Sequence, residues 1–148
     1  MREILFRGKK EYNGEWIEGS LCTTIPSDED FYTISYFDYE GYFIEERVDP
    51  ESVGQYTGLT DKNGKKIFEG DILLVKTKKD SISKETRNDE YITTGTVVFS
   101  NGVFSLEGEG MALCTYWGVK ILSSAYSFPN YEVIGNIHDP ELLEEGAE

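Results

Sequence analysis

The sequence predicts an all-β protein of short strands, a small barrel or a sandwich. Three Asn-Gly pairs punctuate runs rich in Val, Ile, Thr, Tyr and Phe. Asn and Gly best tolerate the positive φ that both central residues of a type I′ hairpin turn require, so each pair proposes two antiparallel strands. Helical signals are scarce and limited to two Asp-Pro-Glu tripeptides.

The strands follow in chain order. The hairpin around Asn13-Gly14 shows no clean apolar face and is expected near an edge or the surface. The runs 32–37 and 42–48 alternate loosely about a turn at 38–41. At Asn63-Gly64, a two-residue loop sets Leu59 opposite Phe68 and Asp61 opposite Lys66. DILLVK (71–76) is apolar on both alternations and reads as an interior strand, opened by the turn at Glu69-Gly70. About Asn101-Gly102, Phe99 faces Phe104 and Val97 faces Leu106, with Ser100 and Ser105 on the other face, a half-buried hairpin. YEVIGNI (131–137) reads as a second interior strand, with Gly135 marking a bend or bulge. Asp49-Pro50-Glu51 and Asp139-Pro140-Glu141 each read as an N-cap with proline in the first turn. Gly54 limits the first to about one turn; the second has room for two, making a short C-terminal helix that frays where acids oppose its dipole.

Composition fits this class. Over 148 residues, 28 Asp+Glu against 14 Lys+Arg leave a formal charge of −14, while 39% hydrophobic and 14% aromatic residues are too many for a disordered chain. A chain this long buries roughly 70% of its unfolded surface and needs neither disulfide nor metal to hold it. Cys22 and Cys114 lie far apart with no CxxC spacing, which excludes a disulfide scaffold and a cysteine zinc site and suggests a reducing cytoplasm. The N-terminus shows three apolar residues after its basic start where a signal peptide needs about 7–15. The weakly charged stretch 110–131 is broken by Gly118, Lys120, Pro129 and Asn130, so a membrane span is not expected.

Few residues suggest catalysis. His138 is the single histidine, so any nucleophilic triad has to use it, and a two-histidine metal site within one chain is excluded. With 28 carboxylates, pairs at glycosidase-like spacing arise by chance. Asp61-Lys62-Asn63-Gly64 lacks the ligand spacing and terminal glutamate of a calcium loop and reads as a hairpin turn. Gly108-Glu109-Gly110 lacks the third glycine and the helix of a phosphate site, and there is no Walker motif. Charge is segregated: 28–51 carries nine acids and one base, whereas 62–87 carries eight bases and four acids. The stretch 76–90 reads as a long solvated loop, whose Lys76, Lys78, Lys79, Lys84 and Arg87 are candidates for contact with phosphate or with a partner. Net negative charge opposes nucleic-acid binding.

Finally, VDPESVGQYTGLTDKNGKKIFEGDILLV (48–75) resembles the YopX family of phage and prophage proteins. REILFRG (2–8), EWIEGSL (15–21), GTVVFSNGVFSL (95–106) and YEVIGNIHDPELL (131–143) agree in order. The resemblance implies an SH3-like β-barrel over 54–148 preceded by a smaller β-rich region over 1–53, and a possible homo-oligomer. It implies no activity and no catalytic, cofactor or metal residues. The family-like positions Gly58, Asp61, Asn63, Gly64, Gly70 and Asp71 are expected to maintain the fold, glycine by positive φ and Asp71 by a turn hydrogen bond. The expected function is that of a non-enzymatic, cytoplasmic phage accessory protein, without cofactor, that binds a host or phage macromolecule. Nucleic-acid binding through the basic loop and an enzyme of unknown class are the alternatives.

Overall fold

The computed structural model describes residues 3–24, 31–78, 90–108, 120–121 and 131–141. Among the described residues there are eleven strands: β1 (Phe6–Lys9), β2 (Trp16–Thr24), β3 (Phe31–Phe37), β4 (Phe43–Arg47), β5 (Gly54–Thr60), β6 (Lys66–Phe68), β7 (Asp71–Lys78), β8 (Glu90–Ser100), β9 (Val103–Glu107), β10 (Lys120–Ile121) and β11 (Tyr131–Asn136). They form two antiparallel sheets, ordered β4-β3-β2-β1-β5-β6 and β10-β9-β8-β7-β11. The all-β class is therefore observed, but among the described residues neither sheet closes into the expected barrel. The chain divides into two compact units, Met1–Gly58 and Leu59–Glu148, each with its own core. Among the described residues no helix is long and apolar enough to cross a membrane.

In the first unit, Ile17, Ile34 and Val48 are buried together, with Phe6, Leu21, Tyr32, Tyr36 and Val53 packed around them. The first hairpin is not at an edge: β1 pairs with β2 on one side and β5 on the other, and β2 also pairs with β3. Its inward face lacks an apolar signature because two of its positions are glycines. A Cβ on Gly8 would stand 3.1 Å from both Ile34 and Val48, and one on Gly19 would collide with the carbonyl oxygen of Ser35 and lie 2.9 Å from Ile34. These two gaps in the side-chain layer let the sheet curl until the end of β4 meets the end of β1. There Lys10 and Val48 form an isolated bridge, with Glu11 N donating to Arg47 O (3.2 Å) and Asp49 N to Lys9 O (2.9 Å). Asp49 caps the single 3-10 turn Pro50–Ser52 by accepting from Glu51 N, as its sequence predicts.

In the second unit, Ile67, Leu73, Val75, Val97 and Leu106 make the core, with Leu59, Phe104, Tyr131 and Val133 against it. β7 is interior, between β8 and β11. The Asn101-Gly102 hairpin has the expected register, Phe99 opposite Phe104 and Val97 opposite Leu106, and both turn residues have positive φ (52° and 79°). Ser105, expected to face solvent, is buried. β11 carries the expected bulge, its register shifting between Val133 and Gly135, but it ends the sheet order instead of lying inside it. Its apolar residues misled because a turn, not a strand, covers its outer edge: Lys62 N donates to Tyr131 O (2.9 Å) and Val133 N to Asp61 Oδ2 (3.0 Å).

One further expectation changes. The β7–β8 ladder continues to Lys78 opposite Glu90, so Lys76 ends no strand, 77–78 and residue 90 are strand where a loop was expected, and 79–89 lie outside the described residues. Of the expected C-terminal helix, only the first residues are described, with Glu141 in helical conformation. Before it, Asn136 Nδ2 donates to Asp139 Oδ2 (3.1 Å), and 142–148 lie outside the described residues.

The close approach at Gly19 makes a simple test. Gly19→Ala forces a methyl group against backbone that cannot yield, so it should cost about 1–3 kcal/mol in urea unfolding, and Gly8→Ala, which meets only side-chain carbons, should cost less. Equal and negligible shifts in midpoint would show that the curl does not rest on these two positions.

Candidate binding surface

Five of the six family-like residues, Asp61, Asn63, Gly64, Gly70 and Asp71, lie in the second unit around two turns, and Gly58 is the last residue of the first unit. At 61–65 the loop has three residues, not the expected two. Asp61 N donates to Lys65 O (2.8 Å) and Gly64 N to Asp61 O (3.0 Å), so Asp61 pairs with Lys65 and the expected pairing with Lys66 is off by one residue. The reason is that only Gly64 (φ 80°), and not Asn63, takes positive φ. A type I turn followed by one left-handed glycine needs three loop residues. Asp61 Oδ1 accepts from Asn63 N (2.8 Å) and Lys65 N (2.9 Å), while Oδ2 reaches Val133 N across 72 residues of chain. Burial opposes its charge, but the three N–H donors of Val133, Lys65 and Asn63, with the nearby Lys65 ammonium, outweigh it and hold the carboxyl below its ordinary 3.8.

At the second turn, Asp71 is buried and its Oδ2 accepts from Phe68 N (2.8 Å). Gly70 N donates to Val97 O (2.8 Å) and Gly70 O accepts from Ile137 N (3.0 Å), which sets the turn beside His138. Gly58 and Gly70 both have positive φ. Both aspartates thus hold backbone N–H groups at their turns, Asp61 those of Asn63, Lys65 and Val133 and Asp71 that of Phe68. Among the described residues no group of three or more His, Cys, Asp or Glu could hold a metal ion.

Of the five basic candidates, two lie among the described residues. Lys76 lies half-buried in β7 opposite Ile92, and Lys78 lies in the ladder opposite Glu90. Lys79, Lys84 and Arg87 fall outside the described residues.

A surface that sequence reasoning missed lies on the β3–β4 hairpin. Its turn repeats the construction at 61–65: Gly41 takes φ 86°, Gly41 N donates to Asp38 O (3.0 Å), and Asp38 N donates to Tyr42 O (2.9 Å). Asp38 Oδ1 accepts from Glu40 N and Tyr42 N, each at 2.9 Å. The carboxylate thus rigidifies a tip made largely of aromatic residues. Phe37, Tyr39, Tyr42 and Phe43 are 71%, 97%, 67% and 61% exposed, and the Phe37 and Phe43 rings, paired across the ladder, meet edge to face at 5.6 Å. The surround is acidic. Nearby cations are committed elsewhere: Arg47 Nε to Glu11 (3.0 Å), and Lys10 Nζ to Glu15 (3.1 Å) and Glu46 (3.8 Å). The bond to Glu15 pushes the Lys10 ammonium up to about 12. Among the described residues no cation pairs with Glu40 or Glu45. The legible signal was the turn itself, Asp38-Tyr39-Glu40-Gly41-Tyr42, which places two tyrosines where a solvated turn needs none.

A second aromatic group, on β1 and β2, sets Trp16 under Arg7 (4.7 Å to the ring centroid) and Lys9 (5.4 Å). These cations cover the ring and remove it as an open platform.

Comparison with known proteins places the chain in a family. The family described as YopX protein matches residues 5–144, and the chain belongs to it. Among solved structures, protein EF1440 from Enterococcus faecalis is similar over 97% of this chain and 99% of its own, at 24% identity and a TM-score of 0.49. No curated protein matches.

The Asp61 bonds generate a pH-dependent prediction. Asp61→Ala leaves three backbone N–H groups without their acceptor and should cost about 1–3 kcal/mol in urea unfolding near neutrality. Because the folded carboxyl titrates below its unfolded value, its contribution is complete above pH 3.8 and is lost as pH falls through the lower folded value. The stability gap between wild type and variant should therefore narrow only in acid. A gap that is constant from neutrality into strong acid would contradict this assignment.

Proposed function

We propose that this YopX-family chain is a macromolecule-binding module, a non-enzymatic accessory protein of a phage or prophage, acting through the β3–β4 hairpin. The supporting observation is the display of four aromatic side chains, 61–97% exposed, on a tip whose backbone is already stiffened by Asp38. Exposed aromatic surface costs hydration free energy unless a partner covers it, and Tyr and Phe are enriched at the centres of interfaces. Ordering such a tip before binding lowers the entropy lost on association. The uncompensated acids around it, together with the formal charge of −14, favour a basic protein over nucleic acid as the partner.

Affinity capture from a bacterial lysate, with a nuclease-treated aliquot in parallel, compares the wild type with the double variant Tyr39→Ser, Phe43→Ser. Tyr39, nearly fully exposed, should contribute little, and loss of the Phe37–Phe43 ring contact should cost about 0.5–1.5 kcal/mol, which leaves the fold intact. The expected outcome is a captured protein that survives nuclease and falls at least tenfold in the variant. Capture that vanishes with nuclease would move the function to the basic segment around Lys76 and Lys78. Capture indifferent to both treatments would place it on another surface.

A further inference from the structure

The hairpin offers backbone as well as rings. Val48 N donates to Tyr32 O (3.0 Å) and Asp38 N to Tyr42 O (2.9 Å), which identifies 42, 44, 46 and 48 as the residues of β4 and its ends that bond toward β3. In an antiparallel ladder the alternate residues bond the other way. Phe43, Glu45 and Arg47 therefore turn their N–H and C=O groups outward, on the side where the sheet order ends. Arg47 O is taken by Glu11 N (3.2 Å). Among the described residues, nothing bonds the outward backbone groups of Phe43 and Glu45, which leaves a two-residue length of open sheet edge beneath the exposed aromatic tip.

Resting on the binding role assigned to this hairpin, we infer that the β4 edge receives an extended, arginine-bearing segment of the partner as an added strand. Three features select that occupant. First, the open groups at Phe43 and Glu45 match the donor and acceptor spacing of an extended peptide. Second, charge decides the side chains. Glu45 is exposed, and no cation pairs with it among the described residues. A second copy of this edge would set like charges opposite one another, whereas a cationic strand would pair with them. Third, Phe37 and Phe43 stand on the same face as Glu45, since their register places Phe37 opposite Phe43 and Ser35 opposite Glu45. A guanidinium laid beside that edge-to-face ring pair can bond Glu45 while stacking on an aromatic face, a combination that the compact lysine ammonium matches less well.

The test uses the full chain and fluorescein-labelled six-residue peptides of alternating arginine and valine, titrated by fluorescence anisotropy. The parent peptide is compared with its lysine counterpart and with two isomers N-methylated on alternate residues. An added strand bonds through every second residue, so one N-methylated isomer should bind at least tenfold more weakly and the other should keep the parent affinity. Replacing arginine by lysine should weaken binding severalfold, and so should Phe43→Ser in the protein. Equal binding by both N-methylated isomers and the parent would overturn strand addition while leaving the acidic, aromatic surface as the binding site. Equal binding of the lysine peptide would overturn selection of arginine. Failure of all four peptides to bind would overturn the inference and the assigned role of the hairpin together.

Discussion

The first unit depends on two side chains that are not there. Gly8 and Gly19 sit where a Cβ would press into Ile34, Val48 and the Ser35 backbone, and their absence lets β3 and β4 fold over β1 and β2. The curl carries Val48 to Lys10 and closes one end of the four-strand layer through Glu11 and Asp49 backbone bonds. That closure also decides what is left open. It occupies the outward carbonyl of Arg47 and stops there, so the free edge of β4 is confined to Phe43 and Glu45. A short edge flanked by acids resists pairing with copies of itself, which lets a strand edge and four aromatic rings be exposed together without self-association.

The same small device sets both the scaffold and its display. Asp38 and Asp61 each open a turn in which a carboxylate takes two N–H groups and a glycine supplies the left-handed residue. The second oxygen differs in use. On Asp61 it reaches Val133 and seals the edge of β11; at Asp38 the turn stands out in solvent and carries Tyr39 and Tyr42. One motif therefore covers an edge in the second unit and stiffens a tip in the first.

What the sequence made legible follows from this. The Asn101-Gly102 hairpin, β7, the bulge at Gly135 and the 3-10 turn at Asp49 could be read because local chemistry decides them: positive φ, a continuous apolar run, a cap before proline. The long 48–75 segment was sufficient to indicate the family. The misreadings share a different cause. At Asn63-Gly64 the dipeptide suggested a two-residue turn, but the bonds of Asp61 to Asn63 and Lys65 fixed a three-residue loop and shifted the register. The interior place of β1 and β2 was hidden because glycine carries no hydrophobic signal, and the edge place of β11 was hidden because its cover comes from a turn 72 residues distant. The aromatic tip was missed for a similar reason. Alternation in 42–48 is weak, and exposure depends on the curl, which long-range packing decides.

If the β3–β4 hairpin is the acting surface, binding must register there before anywhere else. Backbone amide spectra of the isotopically labelled full chain, recorded during titration with an arginine-bearing peptide, test this most directly. The account predicts that shift changes are concentrated at 37–45, largest at Phe43 and Glu45, with the β7 amides at 71–78 unmoved. Changes centred on 71–78, with the hairpin silent, would contradict it.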